Sequence, residues 1–146
     1  TDITENDWDR MFDVNMKSMY LVTKAFVDDM IYKQSGKIIN ISSMWGVTGG
    51  SCEVHYSAAK AAVIGFTKAL AKELAPSGIQ VNAVACGAID TEMNGHLSDD
   101  DKASLAEEIP AGRFGSPQEV AKLVKSLSGM NSYLTGQIIT LDGGWI

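Results

Sequence analysis

The chain has 146 residues, enough for one ordinary domain with a hydrophobic core, and its formal net charge is −6. This acidic balance argues against nucleic acid as a partner, and no apolar run approaches the length of about 18 residues that a membrane span needs. Cys52 and Cys86 do not form a CxxC pair or supply a four-ligand set, so no metal site is predicted. Two cysteines without a disulfide pattern favour a reducing, cytoplasmic setting.

The chain opens on a long predicted helix, from Glu5 to about Ile31. Thr4 and Asp7 have the spacing of a capping box at its start. From Met16 to Ile31 the helix is apolar on most sides, which predicts that it lies between a sheet and another layer. Asn15 is a polar interruption at the beginning of this apolar part.

Strands and helices then alternate along the chain. A near-continuous apolar run over residues 37–42 predicts a strand buried on both faces. The further predicted elements are a glycine-rich loop at 46–51, a helix at 54–74, a strand at 79–85, a loop at 88–97, a helix capped by Ser98, a helix at 117–127 and a strand at 137–141. This order predicts an α/β fold with a three-stranded parallel sheet and a single domain over residues 1–146.

Three side chains are the first candidates for chemistry. Tyr56 and Lys60 are four residues apart on one predicted helix and therefore share a face. A cation close to a phenol lowers its pKa towards neutrality, where general acid–base catalysis is efficient. Ser43 follows the first strand at its carboxyl end, where ligands bind in open α/β sheets. Taken singly, each of these residues is explained better by ordinary packing or capping than by chemistry.

The motifs taken together resemble the short-chain dehydrogenase/reductase family along the whole chain, and within it the 3-oxoacyl-acyl-carrier-protein reductases. The resemblance is carried by Asn15 in Asp-Val-Asn-Met-Lys-Ser, the interval of thirteen residues from Ser43 to Tyr56, Tyr-Ser-Ala-Ala-Lys at 56–60, the segments 87–93 and 113–119, and Asp-Gly-Gly at 142–144.

The resemblance implies a role for each matching residue. Tyr56 would be the general acid, and Lys60 would lower the tyrosine pKa and hold the nicotinamide ribose hydroxyls. Ser43 would orient and polarise the carbonyl. Asn15 would bind a water at a helix irregularity and connect Lys60 to a proton relay. The cofactor would be NADP or NAD, and the residues that choose between them would lie upstream of Thr1.

The turn after the second strand would contact this cofactor through Gly87, Ile89 and Thr91. Cys86 stands where the family usually has proline, and we interpret it as a packing residue rather than a redox group. The resemblance therefore implies the C-terminal portion of a Rossmann-like doubly wound parallel sheet, with the N-terminal nucleotide-binding half absent. The first strand would then have an open edge. We expect a longer parent chain, because these residues alone should neither bind cofactor well nor fold securely.

Three functions stay open from the sequence. The first is reduction of a small-molecule or carrier-protein-bound ketone, above all a 3-oxoacyl thioester, by a homodimer or homotetramer. The second follows a finer resemblance to elongation factor P 5-aminopentanone reductases, carried by Ser-Met-Trp-Gly at 43–46 and Ser-Cys-Glu-Val at 51–54. Trp45 and Glu53 would then line the substrate pocket, with Met93 on a mobile lid, while His55 and His96 would be bystanders. The third is a non-catalytic interaction module.

Overall fold

A computed structural model describes residues 2–95, 97–129 and 133–146, so His96 lies outside the described residues. The helices are α1 (Glu5–Phe12), α2 (Ser18–Lys33), α3 (Trp45–Thr48), α4 (Val54–Leu74), α5 (Asp99–Glu108) and α6 (Pro117–Gly129). The strands are β1 (Gly36–Ser43), β2 (Ile79–Cys86) and β3 (Ile138–Leu141). Within these ranges, no helix is long and apolar enough to cross a bilayer.

The three strands form one parallel sheet in the order β1-β2-β3. Strand β2 is the centre of the sheet, and its residues from Ile79 to Ala85 are all buried. Helix α4 packs on β1 and β2, and its Val63 is fully buried in the core. The register places Ser43 opposite Cys86, so the carboxyl ends of β1 and β2 meet at one edge. The predicted α/β fold and parallel sheet are confirmed.

The sequence predicted one long helix from Glu5 to about Ile31. In the structure a π-helical turn at Asp13–Lys17 divides this segment into α1 and α2. A π turn adds a residue and shifts the hydrogen-bond pattern of the backbone. The Asn15 side chain donates to the Met11 carbonyl at 3.0 Å and thereby satisfies a group at this irregularity. The interruption therefore falls at the asparagine that the sequence singled out.

Two predicted loops contain short helical turns. Trp45–Thr48 forms helix α3 within the segment predicted to be a glycine-rich loop, and Glu92–Asn94 forms a 3₁₀ turn within the other. Helix α3 packs on α4 so closely that a Cβ at Gly46 would lie 2.7 Å from the Lys60 backbone. A glycine at this position allows the two helices to touch through their backbones.

Helix α2 and strand β1 are covered on fewer sides than the sequence predicted. Val22 and Phe26 are 61% and 59% exposed, and Ile41 on β1 is 42% exposed. An open, mostly apolar groove of about 400 Å³ runs between α2 and β1. The prediction of full burial was wrong for the described part of the chain, in which β1 is an edge strand and no second layer covers α2.

Candidate active site

Ser43 and Tyr56 meet at the carboxyl end of the sheet. Ser43 is the last residue of β1 and is buried, and the Trp45 amide donates to its Oγ at 3.2 Å. Tyr56 lies in the first turn of α4, and its side chain is close enough to Ser43 for the serine to oppose the rise in its pKa. Two residues thirteen positions apart in the chain therefore present adjacent hydroxyl groups.

Lys60 lies one turn further along α4, on the same face as Tyr56. Its Nζ lies 5.6 Å from the centroid of the Tyr56 ring and donates to the Ile41 carbonyl at 3.3 Å. The Ser42 hydroxyl donates to the Lys60 carbonyl at 2.9 Å and ties this turn of α4 to the end of β1. The strand thus fixes the position of both the tyrosine and the lysine.

The pKa of Tyr56 is raised rather than lowered. Burial is the largest cause, and the charges of Glu53 and Cys86 act in the same direction, whereas Ser43 opposes them. Burial also lowers the pKa of Lys60. The lowering of the tyrosine pKa by Lys60 stays a prediction. In this structure the Lys60 ammonium group donates to a backbone carbonyl, and desolvation penalises the charged forms of both residues.

Cys86 stands beside these groups at the end of β2. Burial raises the pKa of its thiol, and the nearby Lys60 ammonium opposes that effect. Both cysteines are free thiols. A thiol with a raised pKa is mostly protonated at neutral pH and is a poor nucleophile. This favours the interpretation of Cys86 as a packing residue.

Asn15 lies in the π-helical turn, and this turn packs against α4. Its amide nitrogen donates to the Met11 carbonyl at 3.0 Å and lies 3.1 Å from the Met11 sulfur. The irregular backbone that the resemblance implied is present. The connection from Asn15 to Lys60 through water stays a prediction.

The turn after β2 brings the backbone unusually close to the end of β3. The Gly87 amide donates to the Leu141 carbonyl at 2.9 Å, and a Cβ at Gly87 would lie 2.7 Å from the Asp142 Cα. Only glycine fits that approach. The turn continues through Ile89, which bridges to Gly115, and through Thr91, whose hydroxyl lies 3.5 Å from the Ile89 carbonyl.

The turn after β2 therefore presents backbone groups and small side chains at the carboxyl edge of the sheet, the same edge at which Ser43, Tyr56 and Lys60 lie. An ammonium group has three N–H donors, of which Ile41 accepts one, so Lys60 retains donors for hydroxyl groups. The chain therefore fits the nicotinamide–ribose part of a dinucleotide. No group of three or more His, Cys, Asp or Glu side chains in the described part of the chain is arranged to hold a metal ion.

The three residues predicted to line the substrate pocket differ in how near they lie to Ser43 and Tyr56. Trp45 directly follows the Ser43 turn, and Glu53 lies close enough to Tyr56 for its charge to raise the tyrosine pKa. Met93 is 74% exposed on the 3₁₀ turn, so its role in substrate binding stays a prediction. His55, predicted to be a bystander, has a buried Nδ1 with no hydrogen-bond partner among the described residues.

Trp145 was missed by the sequence reasoning. Its ring packs against Trp45 with the two centroids 5.7 Å apart. The signal that would have found it is local: a large aromatic residue follows the Asp-Gly-Gly turn at the end of β3, and that turn returns to the carboxyl edge of the sheet.

A parallel sheet flanked by helices, with serine, tyrosine and lysine at its carboxyl edge, defines part of a Rossmann-like domain. The chain belongs to the short-chain dehydrogenase/reductase family: the family model described as Enoyl-(Acyl carrier protein) reductase matches residues 1–146.

The curated relatives of this chain carry names of oxidoreductases or reductases. The chain is 48% identical over 146 residues to the Uncharacterized oxidoreductase YmfI of Bacillus subtilis (strain 168), covering 99% of this chain and 60% of the relative. It is 50% identical over 139 residues to the 3-oxoacyl-[acyl-carrier-protein] reductase FabG of Aquifex aeolicus (strain VF5), covering 94% of this chain and 56% of that protein. The chain therefore spans little more than half the length of these relatives.

Solved structures give the same fold. The 3-oxoacyl-[acyl-carrier protein] reductase from Brucella melitensis ATCC 23457 superposes with a TM-score of 0.93 at 36% identity, over 99% of this chain and 55% of that one. A proposed 2-deoxy-d-gluconate 3-dehydrogenase from Agrobacterium tumefaciens with bound NADP superposes with a TM-score of 0.91 at 39% identity, over 99% and 60%. Both confirm the C-terminal portion of a doubly wound fold.

Proposed function

We propose that this chain is the catalytic part of an NADP- or NAD-dependent reductase of 3-oxoacyl thioesters. The observation that carries the proposal is the placement of Ser43 at the carboxyl end of β1 beside Tyr56 at the start of α4, with Lys60 one turn along the same helix face. Relatives named as 3-oxoacyl-[acyl-carrier-protein] reductases support this substrate class, and the neighbour with bound NADP supports the cofactor. A carrier-protein-bound or small ketone, a homo-oligomer and a cytoplasmic setting belong to the same proposal.

A reduced nicotinamide held beside Tyr56 and Lys60 would provide the hydride that reduces the carbonyl carbon. In the proposed reaction Ser43 donates a hydrogen bond to the carbonyl oxygen and orients it. Tyr56 transfers its phenolic proton to that oxygen, so that hydride and proton together convert the ketone to an alcohol. Lys60 binds the ribose hydroxyls and, through a water at Asn15, returns a proton to Tyr56. Gly87, Ile89 and Thr91 contact the cofactor at the turn after β2.

The raised pKa of Tyr56 suits the direction of reduction. A tyrosine whose pKa is raised from its ordinary value is protonated at neutral pH and holds the proton that the reaction consumes. The same tyrosine is a weak base for the reverse reaction. The site is therefore better prepared for ketone reduction than for alcohol oxidation.

Replacement of the phenol tests the proposal directly. We expect Tyr56→Phe in the full-length natural protein to lower kcat for a 3-oxoacyl thioester by about 10²- to 10⁴-fold, the usual contribution of a general acid. The measurement is the loss of reduced nicotinamide absorbance, with NADPH and NADH compared, and cofactor binding is followed by fluorescence. Tyr32→Phe is the matched control, since Tyr32 is 88% exposed on α2.

Equal turnover by the wild type and Tyr56→Phe would contradict the role of Tyr56. A wild-type protein that binds neither cofactor and reduces no ketone would instead favour the non-catalytic interaction module.

A second candidate is reduction of a 5-aminopentanone group carried by elongation factor P. Two observations favour it: the Glu53 carboxylate acts on Tyr56 electrostatically, and the Trp45 indole lies just past Ser43. A carboxylate and an aromatic face together attract an ammonium group. The substrate amine would then lie between Glu53 and Trp45.

Glu53→Gln separates the two candidates. If the natural substrate carries an ammonium group, the variant loses about tenfold in kcat/KM for an amino-ketone and keeps its rate with a neutral ketone of the same length. An equal change for both ketones would contradict the amine-binding role. The neutral ketone is thus the control within each experiment.

A further inference from the structure

Two tryptophans from distant parts of the chain pair at the carboxyl edge of the sheet. The rings of Trp45 and Trp145 have centroids 5.7 Å apart and planes inclined by 58°. Both residues are half-buried, so part of their indole surface remains accessible. The pair is separate from the Trp8–Phe12 stack on α1.

Trp45 is fixed relative to the reacting groups. Its amide donates to Ser43 Oγ at 3.2 Å, and its ring lies over Gly50, where a Cβ would approach it to 2.9 Å. The Gly50 amide in turn donates at 3.0 Å to the hydroxyl of Ser57, the residue after Tyr56. The Trp45 ring therefore lies beside the start of α4.

Trp145 is fixed by a tight turn after β3. The Asp142 carboxylate accepts hydrogen bonds from the amides of Gly144 at 3.0 Å and Ile146 at 2.9 Å. Gly143 and Gly144 both have positive φ, and the Gly143 carbonyl accepts from the Ala111 amide at 3.1 Å. Such a double hydrogen bond to one carboxylate gives the turn a defined direction.

The same turn touches the part of the site that would face the cofactor. A Cβ atom at Gly87 would lie only 2.7 Å from the Asp142 Cα, so this turn packs directly against Gly87. The tryptophan pair consequently connects the turn at Gly87 with the segment between Ser43 and Tyr56. A substituent on a carbonyl held by Ser43 and Tyr56 would extend along this edge, and the indoles offer it a large, rigid apolar surface.

We propose that Trp145, together with Trp45, forms an apolar wall that holds the acyl substituent of the ketone, so that Trp145 determines specificity for substituent length. This inference rests on the proposed reductase function and adds to it a residue from the C-terminal turn. Trp145 binds substrate through its indole face and takes no part in proton transfer. It should therefore affect KM for long substrates more than kcat.

The test compares two thioesters in the full-length protein, an acetoacetyl and a 3-oxo-octanoyl derivative. Trp145→Ala is expected to lower the ratio of kcat/KM between the long and the short substrate by about tenfold, mainly through KM, because contacts with two or so methylene groups are lost. Trp145→Phe keeps an aromatic surface and should lower the ratio by about threefold or less. Trp8→Phe is the matched control and should leave the ratio unchanged.

The outcomes distinguish this inference from the function on which it rests. If the wild type reduces both thioesters and Trp145→Ala keeps the wild-type ratio, Trp145 does not hold the substituent and the reductase function stands. If the wild type reduces neither, both proposals fall. Should Trp145→Ala lose its cooperative thermal transition, Trp145→Leu is measured in its place, and an unchanged ratio there overturns the inference in the same way.

Discussion

Tyr56 shows how its surroundings, rather than its spacing from Lys60, decide the chemistry of one residue. The spacing of four residues correctly predicted that both side chains share a face of α4. It did not predict that the Lys60 ammonium would donate to the Ile41 carbonyl, or that burial would dominate the pKa of the phenol. Those two facts depend on how α4 lies across β1, which is a tertiary contact.

A spectrophotometric titration measures this pKa without substrate. The difference in tyrosinate absorbance between the wild type and Tyr56→Phe should titrate at higher pH than an ordinary tyrosine, since burial and the Glu53 charge both raise the pKa. Glu53→Gln removes one of these causes and should move the titration to lower pH. A difference that titrates near neutrality would show that Lys60 controls the phenol after all.

Among the other site residues, Ser43 was predictable because it ends a strand whose hydrophobic pattern is clear. Asn15 was predictable as an interruption, and the structure gives the interruption its form, a π-helical turn. Trp145 was not predictable from spacing, because its partner Trp45 lies a hundred residues earlier and only the β3 turn brings them together. Local patterns identify groups; the sheet determines which of them meet.

At the scale of elements, helix α6 and the segment before it brace the turn after β2. Arg113 binds both carboxylate oxygens of Glu119, at 3.0 and 2.7 Å, and the Ser116 amide donates to the same carboxylate at 2.8 Å. Gly115, between them, pairs with Ile89. The start of the helix that the sequence predicted at 117–127 is therefore also bonded to the segment that positions Ile89, a residue expected at the cofactor.

Glu119→Gln should weaken this brace in a pH-dependent way. The hydrogen bonds from Arg113 and Ser116 lower the pKa of Glu119 from 4.5 to about 2. A carboxyl with a lowered folded-state pKa stabilises the protein above its unfolded value, and that stabilisation is lost as the pH falls towards 2. We expect Glu119→Gln to lower Tm at pH 7 by about 2–5 °C, and the difference to shrink with acid.

Circular dichroism melts across the acid range check this expectation. Glu107→Gln, on the exposed surface of α5, is the matched control for removal of one negative charge. A Tm difference between Glu119→Gln and wild type that persists undiminished at low pH would mean that packing, not the ionised carboxylate, is responsible.

For the whole molecule, the feature to explain is the amount of apolar surface left on helices α2 and α4. The sequence predicted that the apolar helix from Met16 to Ile31 lies between a sheet and another layer. It could not show whether this chain supplies both of those layers. Leu21, Val22 and Phe26 on α2 are each more than half exposed, and Val54 on α4 is 61% exposed. Monomeric proteins rarely leave contiguous patches of this kind uncovered.

The α4 face is smooth as well as exposed. Ala61 and Gly65 follow Val54 along one stripe, and a Cβ at Gly65 would meet nothing within 4 Å. A stripe of small residues allows another helix to approach closely, and a two-fold axis would bring this stripe against its own copy. These properties support the proposed homodimer or homotetramer.

Gly65→Glu uses this geometry to test the oligomer. Within one chain the new side chain has room, and replacing glycine in a helix interior favours folding. Across a two-fold interface, by contrast, two carboxylates would be buried face to face, and like charges there cost several kcal/mol. We therefore expect the full-length variant to keep its Tm within about 5 °C while its dissociation constant for self-association rises by about 100-fold or more.

Ala121→Glu adds the same charge on the exposed side of α6 and should leave the association unchanged. Sedimentation velocity distinguishes the outcomes: a wild type that is monomeric at micromolar concentration, or a Gly65→Glu protein that associates like the wild type, would show that this face is not the interface.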